Sequence, residues 1–262
     1  MRRTIHPTAE HGFRLGAERY AQSRPNYPED IVFWLRNTLN LSEQKQVIDL
    51  ASGTGKFTQY LKRITPHVTA IEPVEEMQAQ FLKAHPELEV VSAFSDHVPL
   101  NTHAFDAVLS AQAFHWFAHE YTLKEMHRLL KPQGHLGLVW NDRDTSIEWV
   151  HALAELLKPF EQGTPRFYHQ SWKKAFQKQP YFKLESEQHF CYVHTGTVEQ
   201  VVSQRLLSTS FIALLPKPQQ QALKQRFERI IFKYLGKHPQ DTIEFPYITY
   251  AFHFQRLDHE SA

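Results

Sequence analysis

Cysteine is almost absent: the chain of 262 residues has one, Cys191. No internal disulfide can form, and no Cys-x-x-Cys pair is available for zinc or redox work, so a reducing compartment is expected. An excess of either charge is also missing. Lys and Arg total 29 against 28 Asp and Glu, a formal net charge of +1. That balance gives no sign of the broad basic face used in non-specific nucleic-acid binding. No run approaches the ~18 uninterrupted apolar residues of a membrane span. The opening stretch MRRTIHPTAEHG has two arginines but no apolar segment behind them. The expectation is a soluble, cytoplasmic protein with neither nucleic acid nor membrane as partner. The 17 histidines are scattered, whereas metal sites need clustered ligands, so no metal is expected.

What is present reads as an alternation of strands and helices. Residues 29–40 carry Ile31, Val32, Leu35 and Leu39 at helical spacing. Val47-Ile48-Asp49-Leu50-Ala51 is a buried strand entering the glycine turn Ser52-Gly53-Thr54-Gly55. A helix over 56–64, a strand Val68–Glu72 stopped by Pro73, a helix over 74–84 and a strand Glu89–Val91 follow. Then come a strand Phe105–Ser110, a helix over 119–130 ending in Lys131-Pro132-Gln133-Gly134, and a strand His135–Trp140. Such alternation predicts βαβ units, a mostly parallel sheet and helices on both faces. Beyond residue 145 the pattern changes. Helices are expected over 146–160, 170–178, 197–208 and 217–235, with strands over 181–194 and 243–256, the latter broken by Pro246. Cys191 falls on the alternating 181–194 strand and reads as an inert core residue. Seven strands result, in a single domain over 1–262. An N-terminal lid and helix occupy 1–40, a ligand-binding core 45–145 and a C-terminal part 146–262, with a helical insertion over about 197–240.

The glycine turn has an acidic partner. Gly53 and Gly55 let the backbone turn tightly and approach a ligand with no Cβ between them. Glu72 ends the next strand, 19 residues after Gly53. A carboxylate there can accept hydrogen bonds from both hydroxyls of a ribose. Together the two features point to an adenosine-bearing ligand. A dinucleotide fingerprint needs a third glycine where this chain has Thr58, and no phosphate-binding G-x-x-x-x-G-K-[ST] loop occurs.

At these residues the sequence resembles the class I S-adenosylmethionine-dependent methyltransferases. Val47–Gly55 looks like their first motif, with Ala51 where glycine is usual, and Ala70-Ile71-Glu72-Pro73 with Met77 looks like their second. Ser92–Leu100, Phe105–Val108 and Leu129–Leu136 match the loop after the third strand, the fourth strand and the lead into the fifth. Tyr20–Pro28, Ala111–Phe117 and Leu207–Phe211 are similar to a small-molecule branch, closest to the trans-aconitate and cantharidin methyltransferase-like group. The resemblance implies a Rossmann-like α/β sheet in the order 3-2-1-4-5-7-6 with strand 7 antiparallel. It implies S-adenosylmethionine as cofactor and S-adenosylhomocysteine as product. It places Ala51, Ser52 and Gly53 against the methionine part, Glu72 on the ribose, and Pro73 and Met77 beside the adenine. Phe94 and Ser95 meet the adenine edge, Gln112 lies under the ribose or methionine chain, and Tyr20 and Arg24 reach the methionine end from a lid.

Methyl transfer is a displacement at a sulfonium methyl. The leaving group is neutral, so alignment is the main demand. A base is needed only if the acceptor must lose a proton. His115, just past the fourth strand, is the candidate base or orienting group. Trp116 and Phe117 are expected to wall the pocket, with Trp140 and Arg143 at its mouth after the fifth strand. His115 and His119 stand at i, i+4 without a carboxylate of metal-ligand spacing. The favoured reading is methylation of a small organic acceptor, a carboxylic acid among the candidates. The alternatives are a tRNA or protein methyltransferase, a cofactor-binding protein without acceptor chemistry, and a nicotinamide-dependent dehydrogenase.

Overall fold

The structure is a computed structural model that describes residues 23–258. Seven strands form one sheet in the order β3-β2-β1-β4-β5-β7-β6. They are β1 Val47–Leu50, β2 Val68–Ile71, β3 Val90–Val91, β4 Phe105–Ala111, β5 Leu130–Arg143, β6 Phe182–Thr197 and β7 Thr242–Arg256. The first five are parallel, and β7 runs antiparallel to both β5 and β6. The order and the antiparallel seventh strand are those expected from the sequence. Because β1, β2, β4 and β5 point the same way, their carboxyl ends at Leu50, Ile71, Ala111 and Arg143 share one edge of the sheet.

Successive strand residues face opposite sides, and the core follows that period of two. Ile48, Leu50, Val108, Leu138 and Trp140 pack on one face with Leu123, Met126 and Leu129 of helix α4 (Glu120–Leu129). Val47, Ala107, Leu109 and Val139 pack on the other, beneath Ile31, Trp34 and Leu35 of α1 (Asp30–Asn37) and Tyr60 and Leu61 of α2 (Thr58–Lys62). Both faces are covered, so the central strands read as unbroken apolar runs. The remaining long helices are α3 Glu75–Ala84, α5 Glu148–Leu157 and α6 Lys217–Leu235. A third apolar cluster joins α5 and α6 to the turns at 199–213 and to Phe245 and Tyr247 of β7. No helix among the described residues is long and apolar enough to cross a membrane.

One contact sets how closely α1 lies on the sheet. A Cβ built on Gly137 of β5 would lie 2.3 Å from Leu109 Cδ1 and 3.0 Å from the Trp34 ring. Gly137→Ala is therefore expected to cost about 1–3 kcal/mol through overpacking. The check is a lower urea midpoint with unchanged slope. An unchanged midpoint would mean that this crossing is loose.

Four local readings change. The fifth strand is longer at both ends. It starts at Leu130, so that Lys131–Gly134, expected as a turn, belongs to the strand at a register shift against β4. It runs on to Arg143, because Asn141, Asp142 and Arg143 pair with Thr249, Ile248 and Tyr247 of β7. The stretch expected to be helical over 170–178 is a six-residue 3-10 turn, Ser171–Phe176. Cys191 is exposed, not core. It lies on β6, one of the two edge strands, whose residues 187, 189, 191, 193 and 195 share an exposed face. Tyr27 is a core residue rather than part of a lid. It is 5% exposed, makes edge contacts with the rings of Phe57 and Tyr60, and exchanges backbone hydrogen bonds with the Tyr60 hydroxyl at 3.0 and 2.7 Å. The part of the expected lid before Ser23, including Tyr20, lies outside the described residues, whereas Arg24 and Pro25 line the cavity at the shared carboxyl edge.

Candidate active site

The shared carboxyl edge opens into a cavity of about 490 Å³. That is within the usual range for a small-molecule or cofactor site. Its floor is strained. Just past β1 and β4, Ala51, Gly53 and Gln112 hold φ of 58°, 59° and 60°. For Ala and Gln such backbone costs on the order of 1–3 kcal/mol each, and it clusters at binding sites. At Gly53 an added Cβ would meet no protein atom within 4 Å. The backbone there borders open cavity.

Two buried carboxyl groups stand side by side above this floor. Glu72 follows β2; its Oε2 accepts from the Gly53 N–H and its Oε1 from the Val74 N–H, both at 2.9 Å. Burial raises its pKa to about 7, against the pull of those two bonds. Asp49 sits within β1 and lines the same cavity. Its Oδ2 accepts from the Thr58 hydroxyl at 2.6 Å, while its Oδ1 is enclosed without a hydrogen-bond partner. Burial raises this pKa to about 7 as well. Thr58, which occupies the position of a dinucleotide motif's third glycine, therefore anchors an acid. Ser52 Oγ and Thr54 Oγ1 are two further enclosed atoms without partners on the cavity wall. A ribose and an ammonium group would satisfy such a set of orphaned acceptors and hydroxyls.

Of the residues singled out from the sequence, Arg24, Ala51, Ser52, Gly53, Glu72, Pro73, Met77, Phe94, Ser95, Gln112 and Trp116 all line this cavity. Gln112 is fixed across the β4–β5 gap, its Nε2 donating to Asn141 O at 3.1 Å and its N–H to Val139 O at 2.8 Å. Ser95 presents its hydroxyl to Thr122 at 3.1 Å. His115, Trp140 and Arg143 instead border a smaller side chamber of about 40 Å³. Trp140 is fully buried in the core and not at a mouth, stacked on Phe167 at 4.9 Å. Its Nε1 donates to His115 Nδ1 at 3.1 Å. His115 lies in a 3-10 turn, Phe114–Trp116, and His119 caps α4 by accepting from the Thr122 N–H at 3.2 Å. The two rings thus serve different bonds. Among the described residues no group of three or more His, Cys, Asp or Glu is placed to hold a metal ion.

Comparison with known proteins gives this geometry a family. The methyltransferase domain family matches residues 48–138, from β1 into β5. An uncharacterized methyltransferase-like protein of Schizosaccharomyces pombe is 31% identical over 244 residues, covering 92% of this chain and 93% of its own. The chain belongs to the class I S-adenosylmethionine-dependent methyltransferases. Among solved structures, a type II methyltransferase candidate from Anaeromyxobacter dehalogenans has the same fold. Its TM-score is 0.66 at 17% identity, over 90% of this chain and 99% of that one. A malonyl-[acyl-carrier protein] O-methyltransferase of Paenibacillus is 25% identical over 162 residues, covering 53% of this methyltransferase and 56% of that protein.

Three residues at the site of this methyltransferase escape sequence reasoning. Asp49 has a faint signal, a lone acid inside the buried run Val47–Leu50. Arg166 and Arg205 have none. They come from the irregular segment after α5 and from a three-residue helical turn, Arg205–Leu207, and reach the side chamber only through tertiary packing.

Proposed function

We propose that this methyltransferase transfers the methyl group of S-adenosylmethionine to a small organic acceptor, a carboxylic acid being the favoured class, by in-line displacement at the sulfonium. The observation that carries the cofactor reading is the pairing of Glu72 with the Gly53 turn above an open cavity. A carboxylate has about four acceptor positions. Two of them hold Gly53 and Val74, which leaves two for ribose hydroxyls. Asp49 Oδ1 suits the ammonium of the methionine part and Arg24 its carboxylate. Pro73, Met77 and Phe94 give the adenine apolar surface, and the backbone at Ser95 meets its edge.

Both acids have raised pKa values, so between the ordinary carboxylate range and about pH 7 the folded chain binds more protons than the unfolded one. Ligand-free stability is therefore expected to fall as pH rises through that window. Affinity for S-adenosylhomocysteine should move the other way, rising about tenfold from pH 6 to pH 8 as Glu72 ionises. Calorimetry at the two pH values checks this. Equal affinities would show that the ionised carboxylate is not what binds.

His115 favours an acceptor that is already ionised. The Trp140 N–H is only a donor, so His115 Nδ1 must accept and the proton resides on Nε2. Burial, helped by the nearby Arg166 and Arg24 cations, holds its pKa well below the usual histidine value. The ring is a neutral donor with no free lone pair, suited to orienting an acceptor rather than deprotonating it. The experiment is a screen of carboxylic acids, phenols and amines for S-adenosylhomocysteine release, followed by pH–rate profiles at saturating cofactor. A carboxylic acid is expected to turn over with no limb attributable to His115 between pH 6 and 8. His115→Ala should slow it by about ten- to hundredfold without changing the profile's shape, the loss of one donor to a charged group. A rising limb that disappears in His115→Ala would instead establish a base and an acceptor with a proton to lose.

A further inference from the structure

The side chamber is lined by four arginines, Arg24, Arg143, Arg166 and Arg205, and by a single carboxylate, Asp142. Arg24 and Arg205 also line the large cavity, with Gln112 and Trp116, so the two spaces adjoin. Arg143 and Arg166 face the side chamber alone. Among the described residues, no ion pair within 4 Å and no side-chain hydrogen bond engages the guanidinium of Arg143, Arg166 or Arg205. The Nε atoms of Arg166 and Arg205 are enclosed with no partner, and Arg205 is only 7% exposed. Arg166 is held by the Phe211 ring, 5.5 Å from its guanidinium carbon.

The nearby acids offset this cluster only in part. Asp142 acts electrostatically on Arg143, Arg166 and Arg205, and Glu161 on Arg166, yet among the described residues neither is within ion-pair distance of a guanidinium. Asp142 Oδ1 accepts from the Arg143 backbone N–H at 3.0 Å. Glu161, behind the chamber, accepts from the Tyr168 hydroxyl and has His169 Nε2 at 3.6 Å. His115 adds the neutral Nε2–H donor derived above. Four cations facing one carboxylate leave enclosed positive charge in excess, which is costly, and sites that keep such an excess suit a charged ligand. The cofactor's own carboxylate needs only one cation and can take Arg24 from the large cavity, which leaves Arg143 and Arg166 for another anion. A space of about 40 Å³ holds one planar carboxylate rather than a whole acceptor.

Resting on the methyltransferase reading, we propose that Arg143 and Arg166, with Arg205 at their border, form an anchoring subsite for one carboxylate of the acceptor. The anchored group is distinct from the atom that takes the methyl. A carboxylate gripped by two guanidinium forks has its lone pairs occupied and its charge compensated, which makes it a poor nucleophile. The acceptor is therefore at least bifunctional. One anionic end is fixed in the side chamber while a second nucleophilic oxygen reaches the sulfonium from the large cavity. Arg166 acts as a specificity-determining residue.

The test uses the full chain, with acetate, malonate and inorganic phosphate as probes and chloride at equal ionic strength as control. Malonate at ten times its dissociation constant should raise the melting temperature by roughly 2–4 °C. In Arg166→Met that shift should vanish, while affinity for S-adenosylhomocysteine stays within twofold of the parent. The ligand-free melting temperature of Arg166→Met should equal or exceed the parent's, since an uncompensated enclosed charge has been removed. Arg143→Met should lose the malonate shift in the same way, which covers the case in which one variant folds poorly. Equal malonate shifts in parent and variants, or phosphate stabilising at least as well as the carboxylates, would overturn the subsite. Failure of S-adenosylhomocysteine to bind the parent would overturn the cofactor reading and leave the anion shifts to be judged separately.

Discussion

Replacing Glu72 by glutamine is expected to weaken S-adenosylhomocysteine binding by about ten- to hundredfold, equivalent to the roughly 1.5–3 kcal/mol of a hydrogen bond to a charged group. The carboxylate holds two backbone donors, Gly53 N–H and Val74 N–H, one on each oxygen. Glutamine has one oxygen and one NH2, so one of those N–H groups would face another donor. The glycine turn and the start of α3 would lose their common anchor, and the ribose would lose a charged acceptor. The ligand-free protein should suffer less. Glu72 is enclosed and carries a raised pKa from burial, so its ionised form already costs stability at neutral pH. Calorimetry combined with thermal melting separates the two effects. Unchanged affinity with a lowered melting temperature would reduce Glu72 to a structural residue.

Gly53→Val is expected to abolish binding altogether while leaving a cooperative melting transition. Its φ of 59° is a conformation that a β-branched residue adopts only under strain. Because a Cβ there meets no protein atom within 4 Å, the valine would project into the cavity and not into the core. The stability loss should be confined to local backbone strain, on the order of 1–3 kcal/mol. Gly53→Ala should fall between the two, with weakened binding and a smaller loss of stability. Retained binding in Gly53→Val would mean that the ligand approaches from elsewhere.

The parallel half of the fold was legible because its strands are buried on both faces and its turns are short. Apolar runs such as Val47–Leu50 end where glycine, proline or an acid begins, and those ends carry the site. The spacing of Gly53 and Glu72 therefore translated into a direct hydrogen bond. The burial of Tyr27 is not legible because its surroundings, Arg24-Pro25-Asn26-Tyr27-Pro28, are polar and proline-broken. Its burial depends on the Tyr60 hydroxyl, 33 positions away, bridging both of its backbone groups. Cys191 was misread because alternation gives the period of a strand and not which face is covered, and β6 is an edge. The acceptor side was least legible. Arg166 lies in a segment with no periodicity to interpret, Arg205 in an expected helix whose spacing does not say what it faces, and their meeting with His115 depends on tertiary packing over β5 and β7.

The central claim is that the edge cavity is an S-adenosylmethionine site. Titration calorimetry of the full chain with S-adenosylhomocysteine, with NAD run alongside, tests it most directly. Saturable one-to-one binding of S-adenosylhomocysteine, tighter at pH 8 than at pH 6, with no heat from NAD, is the result this account predicts. Binding of NAD in its place, or no binding of S-adenosylhomocysteine at either pH, would contradict it.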